Sequence, residues 1–289
     1  MMRMMITIAA LLLPSLAARA EQPQFSLKIG DTFEITRDLE TSSQSDNGSS
    51  GSSSDHDAIS VRVIAQRDGG VELLYDLQKG ATVRDRASNW QFPALILNPA
   101  NGPLQLLNTQ ELEVRVAKWL KKAKFPRSAC GRWIFTWNAF RIECDPQSVL
   151  QTIAMFDLQP RDLRVGALYQ DAEAAESAPL VRTTVGPDRS TFAAEMAVNP
   201  SVIRKGRAEA DVAVAEISRK LLTFDDALRA RMAENISGTI SVTFDADQAG
   251  LVSRRTKVMK LAIKGPDGKS ESRIATETLE RRRVSSSNR

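Results

Sequence analysis

The first third of the chain alternates apolar and polar residues with the two-residue period of a β-strand. Residues 25–35, 61–66 and 71–78 all show this period, and Asp68-Gly69-Gly70 separates the last two segments. Gly-containing turns of this kind join the strands of β-hairpins. We therefore predict an antiparallel meander here, with one face of each strand buried.

Helical periodicity replaces the strand pattern in the middle of the chain. Asn108 and Glu111 have the spacing of a capping box, and apolar residues then recur on one face up to Pro126. Asp145-Pro146 opens a second amphipathic segment that runs to Phe156, because proline suits the first helical turn. Both segments are predicted to be helices.

A third helix is predicted over residues 200–221, which Asn199-Pro200 introduces. Residues 208–215 also alternate, so a strand remains open there, although their Ala and Glu content favours a helix. A shorter helix is predicted over residues 225–232.

The strand period returns in residues 240–244, 259–263 and 274–279, and the turn 265–268 separates the last two. Long antiparallel meander strands at both ends, with helices between them, predict an α+β fold. In that fold a curved sheet or partial barrel packs on several helices, and two packed sheets are the alternative. We expect residues 21–289 to form a single domain.

The first twenty residues have the three parts of a secretory signal peptide. Arg3 precedes an apolar run from Ile6 to Leu16, and Ala18-Arg19-Ala20 supplies a cleavage site before Glu21. That run is shorter than the roughly 20 residues that cross a bilayer, and no later segment is long and apolar enough. We expect cleavage after residue 20 and export to the periplasm or exterior of a bacterium.

Residues 42–57 consist almost entirely of Ser, Gly, Asp, Asn and similar polar residues, and are predicted to form a disordered loop. His56, the only histidine, lies in this segment between two aspartates. A single histidine in a mobile loop lacks the preorganised geometry of a metal site, so we expect none. We expect no cofactor either.

Two cysteines, Cys130 and Cys144, enclose the densest cluster of aromatic residues in the chain. An even count in an exported protein predicts a mutual disulfide. The candidate ligand-binding residues lie inside that loop: Trp133, Phe135, Trp137 and Phe140. They suit a hydrophobic ligand or partner, and the alternative is a buried core anchor. The basic residues 121–132 before them would suit an anionic amphiphile, or would simply end a helix.

The formal net charge is +4, and Arg281-Arg282-Arg283 is the most basic run near the C-terminus. We interpret this run as a solvated chain end rather than a nucleic-acid site, because an exported protein rarely meets nucleic acid. No nucleophile, phosphate-loop or metalloprotease motif occurs, and histidine is nearly absent, so an enzyme is not expected.

Two functions remain. The first is a periplasmic carrier that binds a hydrophobic or lipid-like ligand. The predicted layout resembles, in architecture alone, the half-barrel carriers that ferry lipoproteins across the periplasm, in which helices cover a curved sheet. The second is a structural or protein-interaction component of the envelope, which docks through a sheet edge or the aromatic loop. The sequence leaves the oligomeric state open.

Overall fold

Strands dominate the part of the chain that the structure, a computed structural model, describes: residues 27–67, 69–99, 102–135, 139–160, 162–186 and 188–284. The strands are β1 (Thr32–Ser45), β2 (Ser50–Arg67), β3 (Gly70–Leu77), β4 (Ala94–Pro99), β5 (Gln105–Leu106), β6 (Trp133–Phe135), β7 (Ala139–Arg141), β8 (Leu168–Tyr169), β9 (Ala178–Pro179), β10 (Val181–Val185), β11 (Arg189–Ala197), β12 (Asn235–Asp247), β13 (Val252–Lys264) and β14 (Ser270–Arg283). The helices are α1 (Val83–Ser88), α2 (Thr109–Ala123), α3 (Ser148–Ala154), α4 (Pro200–Ile217) and α5 (Phe224–Arg231), with a 3₁₀ turn at Arg127–Ala129.

Ten strands form one antiparallel sheet in the order β10-β11-β12-β13-β14-β1-β2-β3-β4-β5. The sheet consists of two meanders, β1–β5 and β10–β14, and they join where β14 pairs with β1. That pairing sets Ile35 opposite Arg281 and Arg37 opposite Leu279. The outer strands β5 and β10 lie at opposite edges, so the sheet is open.

The predicted α+β fold, a curved sheet or partial barrel packed on several helices, is therefore wrong. The described residues are mostly antiparallel β-sheet, with 45% strand and 23% helix, and the ten-stranded sheet does not close. The pairing of β14 with β1 joins opposite ends of the chain, which the local periodicity of either segment does not encode. Strand content was also underestimated, because a polar segment predicted to be a loop is paired.

That segment is residues 42–57, where the structure differs from the predicted disordered loop. Its residues belong to the far halves of β1 and β2, which pair in continuous register from Thr32 opposite Arg62 to Gln44 opposite Ser50. Strand β14 pairs with the other side of β1. Ladder hydrogen bonds to two neighbours satisfy the β1 backbone there, so the strand forms without burying apolar side chains.

The predicted hairpins are confirmed. Strand β2, which ends at Arg67, pairs with β3, which begins at Gly70, and β13 and β14 pair around the turn at 265–268. Gly268 adopts a positive φ of 82° in that turn, and its N–H donates to the Gly265 carbonyl. A left-handed backbone suits glycine because it has no Cβ.

Residues 200–217 are helical, which settles the helix-or-strand alternative in favour of the helix. The Asn199 side chain caps α4 by accepting a hydrogen bond from the Ser201 N–H at 3.0 Å. Helix α2 is also confirmed, but its predicted cap is not: the Asn108 carboxamide oxygen instead accepts from the Leu95 N–H at 2.9 Å. Among the described residues, no helix is long and apolar enough to cross a membrane.

One face of the sheet carries the hydrophobic core. Buried residues alternate along the central strands and form one cluster with residues from α2, α3 and α4: among them are Phe33, Ile59, Leu73, Ile240, Phe244, Leu112, Val149 and Ile203. The opposite face carries mainly Ser, Thr and charged residues. This division places every side chain that alternates with Leu279 along β14 on the core face.

Candidate functional site

An apolar cavity of about 190 Å³ lies between the core face of β1–β3 and the segment that follows α3. Its walls are predominantly aliphatic and aromatic: Leu27, Phe33, Ile35, Val61, Val63, Leu73, Leu104, Ile153, Phe156 and Leu251. We refer to this space as the Arg281 cavity, because the Arg281 side chain reaches it from β14. Its remaining lining residues are polar: Tyr75, Asn98, Asp157 and Gln159.

The segment after α3 closes one side of the cavity. Phe156 is buried, and the Asp157 carboxylate accepts a hydrogen bond from the Gln159 N–H at 3.0 Å, which shapes the turn. The Gln159 side chain accepts from the Val252 N–H at 3.1 Å. This contact ties the segment to the start of β13, so secondary structure on both sides positions the cavity wall.

Arg281 lies on the core face because it follows the buried Leu279 by two residues in β14. Its guanidinium lies 5.9 Å from the centre of the Phe33 ring, within the range of a cation–π contact. Burial lowers the pKa of Arg281 from its ordinary value, although the negative charges of Asp157 and Asp247 oppose this shift. A lowered pKa indicates that the cation is poorly solvated.

Two other core-face arginines differ from Arg281 in having a carboxylate partner. Arg37 Nε and Arg255 Nη2 contact the two oxygens of Glu277 at 2.7 and 2.5 Å. Arg255 also donates to the Asp157 carbonyl at 2.8 Å. Within the described part of the chain, the Arg281 guanidinium has no such hydrogen bond or ion pair, and the charges of Asp157 and Asp247 act on it without direct contact.

Tyr75 is the second polar group of the cavity. The residue is 9% exposed, and burial together with the charge of Asp157 raises the pKa of its phenol. The phenol is therefore neutral at physiological pH, and its O–H can donate a hydrogen bond. Arg281 and Tyr75 together offer donors in an apolar space, which suits a ligand atom that accepts hydrogen bonds.

The predicted disulfide between Cys130 and Cys144 is present, and it closes the loop that contains the β6–β7 hairpin. Within this loop Trp133 is half-buried, whereas Phe135 is 63% and Phe140 is 38% exposed. Trp137 lies outside the described residues. Trp133, Phe135 and Phe140 do not line the Arg281 cavity. Phe135 is also not buried, as a core anchor would be.

His56 does not line the Arg281 cavity. His56 Nδ1 contacts Asp38 Oδ1 at 2.6 Å across β1 and β2, and both side chains are exposed. The hydrogen bond and the charge of Asp38 raise the His56 pKa. No group of three or more metal-ligating side chains is found in the described part of the chain.

Arg281 was not among the site residues predicted from the sequence. The prediction that Arg281-Arg282-Arg283 forms a solvated chain end is wrong for Arg281, whose side chain lies on the core face. All three residues belong to β14, and Arg282 and Arg283 are exposed. A usable signal was present: the two-residue period, continued from Leu279, places Arg281 on the buried face and Arg282 on the opposite one. The alternation predicted for residues 71–78 is consistent with Tyr75 on the buried face, but the proximity of Tyr75 to Arg281 depends on the pairing of β14 with β1.

Comparison with known proteins gives no family. No protein-family model and no curated protein sequence matches the chain. Among solved structures, one of lipid–protein interactions in lipovitellin aligns with a TM-score of 0.41 and 6% identity, over 91% of this chain and 26% of that chain. Ail, the attachment invasion locus protein of Yersinia pestis, aligns with a TM-score of 0.20 and 3% identity, over 88% of this chain and 100% of that chain. These scores are too low to show a shared fold, so the likenesses support no conclusion about ligand or function.

Proposed function

We propose that this protein is an exported, non-enzymatic binding protein that holds a small amphipathic ligand in the Arg281 cavity. The observation that carries this proposal is the Arg281 guanidinium, which lies among apolar walls without a carboxylate partner in the described residues. A cation in such surroundings carries a desolvation cost that a bound anion would offset.

The apolar lining of the cavity limits the size and polarity of the ligand group that enters it. Ligand sites in proteins are mainly apolar, with a few placed polar groups that fix orientation. The volume of about 190 Å³ is below the roughly 300–1,000 Å³ of pockets for drug-sized ligands. The cavity therefore suits a short apolar group, or one end of a longer acyl chain.

The charges around Arg281 restrict the head group. Asp157 lies in the lining of the same cavity, and Asp247 also acts on Arg281 through its charge. A second negative charge on the ligand would be repelled by these carboxylates. A monoanion such as the carboxylate of a fatty acid fits this balance, with the neutral Tyr75 phenol as an additional donor.

The disulfide supports the location. Disulfides persist in oxidising compartments such as the bacterial periplasm and are rare in the cytosol. Together with the signal peptide predicted at residues 1–20, which lie outside the described part, the Cys130–Cys144 bridge favours an envelope setting. Amphipathic molecules are abundant there.

The test begins with native mass spectrometry of the protein purified gently from an exporting host, followed by solvent extraction and identification of the released molecule. The purified protein is then titrated with a fatty acid by calorimetry, alongside Arg281→Leu and Arg282→Leu. Arg282 is the matched control, because it neighbours Arg281 in β14 but its side chain is 74% exposed on the other face.

We expect a stoichiometric adduct that extraction removes, and fatty-acid binding that Arg281→Leu weakens. Loss of a hydrogen bond to a charged group costs about 1.5–3 kcal/mol, which corresponds to roughly a 10- to 100-fold weaker Kd. Arg282→Leu should bind like the unmodified protein. Equal losses in both variants, or a clean unliganded mass with no fatty-acid binding, would contradict the proposal and favour the envelope-interaction alternative.

A further inference from the structure

The segment from residue 118 to 142 is the most one-sided stretch of charge among the described elements. It contains seven basic residues and no Asp or Glu: Lys118, Lys121, Lys122, Lys124, Arg127, Arg132 and Arg141. All seven are exposed. They lie on the last turns of α2, on the 3₁₀ turn and on the β6–β7 hairpin, and we call them the basic patch.

Most of the basic patch is not neutralised by the protein itself. Arg127 pairs with Glu113 at 3.3 Å. The other six residues have no ion pair within the described part of the chain. By contrast, Lys257 contacts both Asp171 and Glu173, at 2.8 and 2.7 Å. The patch therefore presents positive charge that is free to attract an anionic partner.

Exposed aromatic side chains lie within the same segment. Phe135 and Phe140 are 63% and 38% exposed on the hairpin that the Cys130–Cys144 disulfide closes. Backbone hydrogen bonds stiffen the base of this hairpin, since the Gly131 N–H donates to the Ile142 carbonyl at 2.7 Å and the Ile142 N–H to the Arg132 carbonyl at 2.9 Å. A stiffened hairpin loses little conformational freedom when it binds.

We propose that the basic patch and these two phenylalanines bind the protein to the surface of an anionic lipid bilayer. Basic residues are attracted to anionic headgroups, and aromatic side chains enter the interface between headgroups and acyl chains. The disulfide favours this partner over a nucleic acid, because it indicates an oxidising compartment outside the cytosol. This inference does not rest on the Arg281 cavity.

The size of the effect follows from the number of cations. Each Lys or Arg near an anionic surface increases partitioning several-fold, so neutralising three of them should reduce it about 100-fold. Added salt should also reduce partitioning to the vesicles, because it screens the attraction between exposed cations and the anionic membrane surface.

The experiment is co-sedimentation of the full exported chain with vesicles of phosphatidylcholine and phosphatidylglycerol, compared with phosphatidylcholine alone. The charge variant is Lys121→Gln, Lys122→Gln and Lys124→Gln combined. Its matched control combines Lys205→Gln, Lys260→Gln and Lys264→Gln, which removes three exposed charges from other parts of the surface.

The apolar variant is Phe135→Ser, with Leu168→Ser as control because Leu168 is 72% exposed in β8. Circular dichroism verifies the folding of each.

We expect binding only to the anionic vesicles, about a 100-fold loss in the charge variant, a several-fold loss in Phe135→Ser, and no change in either control. Equal binding to neutral vesicles, or equal losses in the control variants, would overturn the proposal. So would failure to bind vesicles combined with retention on an acidic polymer such as heparin. Arg281→Leu should leave vesicle binding unchanged, so failure here is distinguishable from failure of the cavity proposal.

Discussion

The Arg281 cavity and the β6–β7 hairpin both combine aromatic side chains with arginine, but they differ in solvent exposure. In the cavity, Phe33 is 5% and Phe156 is 4% exposed, whereas Phe135 on the hairpin is 63% exposed. The Arg281 cation is poorly solvated, while Arg132 and Arg141 are exposed. The same residue types therefore have different energetic consequences in the two regions.

The difference in solvent exposure suits the two regions to different kinds of binding. A partly buried cation without an ion pair, such as Arg281, destabilises the ligand-free protein, so its benefit arises when an anion binds. An exposed cation has little cost and acts at longer range, where salt screens it. The cavity is suited to a single small molecule, and the hairpin with the basic patch to an extended surface.

The largest effect is expected from Phe156→Ala, which removes a cavity wall. Burial of this side chain and the space left behind predict a loss of about 3–5 kcal/mol in the free energy of unfolding. Phe140→Ala deletes the same atoms from the hairpin, where the residue is 38% exposed, and should cost clearly less. Urea unfolding of both variants measures the difference; similar losses would show that the hairpin is as closely packed as the cavity wall.

The disulfide should have the next largest effect, and it should act on the hairpin. Cys130 and Cys144 are 14 residues apart, and a loop of this length is stabilised by roughly 3 kcal/mol. The double variant Cys130→Ala/Cys144→Ala should therefore unfold at lower urea concentration, as should the reduced unmodified protein. Vesicle binding should weaken while fatty-acid binding persists. Unchanged urea midpoints would contradict this prediction.

Arg281→Leu should have the opposite sign of effect on stability. Arg281 is partly buried and has no ion pair in the described part of the chain, so replacing it with an apolar residue of similar size should be neutral or stabilising by up to about 1 kcal/mol for the ligand-free protein. A purely structural arginine would instead destabilise when removed. The measurement is thermal unfolding with and without fatty acid: ligand should raise the Tm of the unmodified protein more than that of the variant. A lower Tm in the ligand-free variant would assign Arg281 a structural role.

Phe135→Ala should leave stability almost unchanged, within about 0.5 kcal/mol, because the side chain is mostly exposed. Its effect should appear only in vesicle co-sedimentation, as a several-fold loss. This variant separates the two regions most directly, since fatty-acid binding should match that of the unmodified protein. A stability loss as large as that of Phe156→Ala would indicate that Phe135 packs against other residues in solution.

The sequence predicted the local elements better than their assembly. Helices α2, α3, α4 and α5 were predicted from amphipathic stripes, and the hairpins from the two-residue period and their turns. The open sheet was not predicted, because β14 and β1 pair across almost the whole chain. The cavity depends on that pairing. The sequence pattern could therefore place Arg281 and Tyr75 on a buried face, but it could not predict that they lie in the same cavity.

Composition was misleading at two places. The Ser- and Gly-rich residues 42–57 are paired, because neighbouring strands supply backbone hydrogen bonds that composition does not reveal. The run Arg281-Arg282-Arg283 resembles a solvated tail until its alternation with Leu279 is taken into account. In both cases the backbone pattern, rather than the residue types, determines the structure.

The smallest effect is expected at His56, which belongs to neither region. Its hydrogen bond to Asp38 raises its pKa in the folded state, so the stabilisation from this pair is fully present below the ordinary histidine pKa near 6.5 and is lost as pH rises through the folded-state value. A proton NMR titration of this single histidine should give a lower pKa in Asp38→Asn. An identical pKa would show that the contact does not persist in solution. Because His56 lies on the polar sheet face, its protonation should change neither fatty-acid binding nor vesicle binding, so any pH dependence of those two activities must arise from other groups.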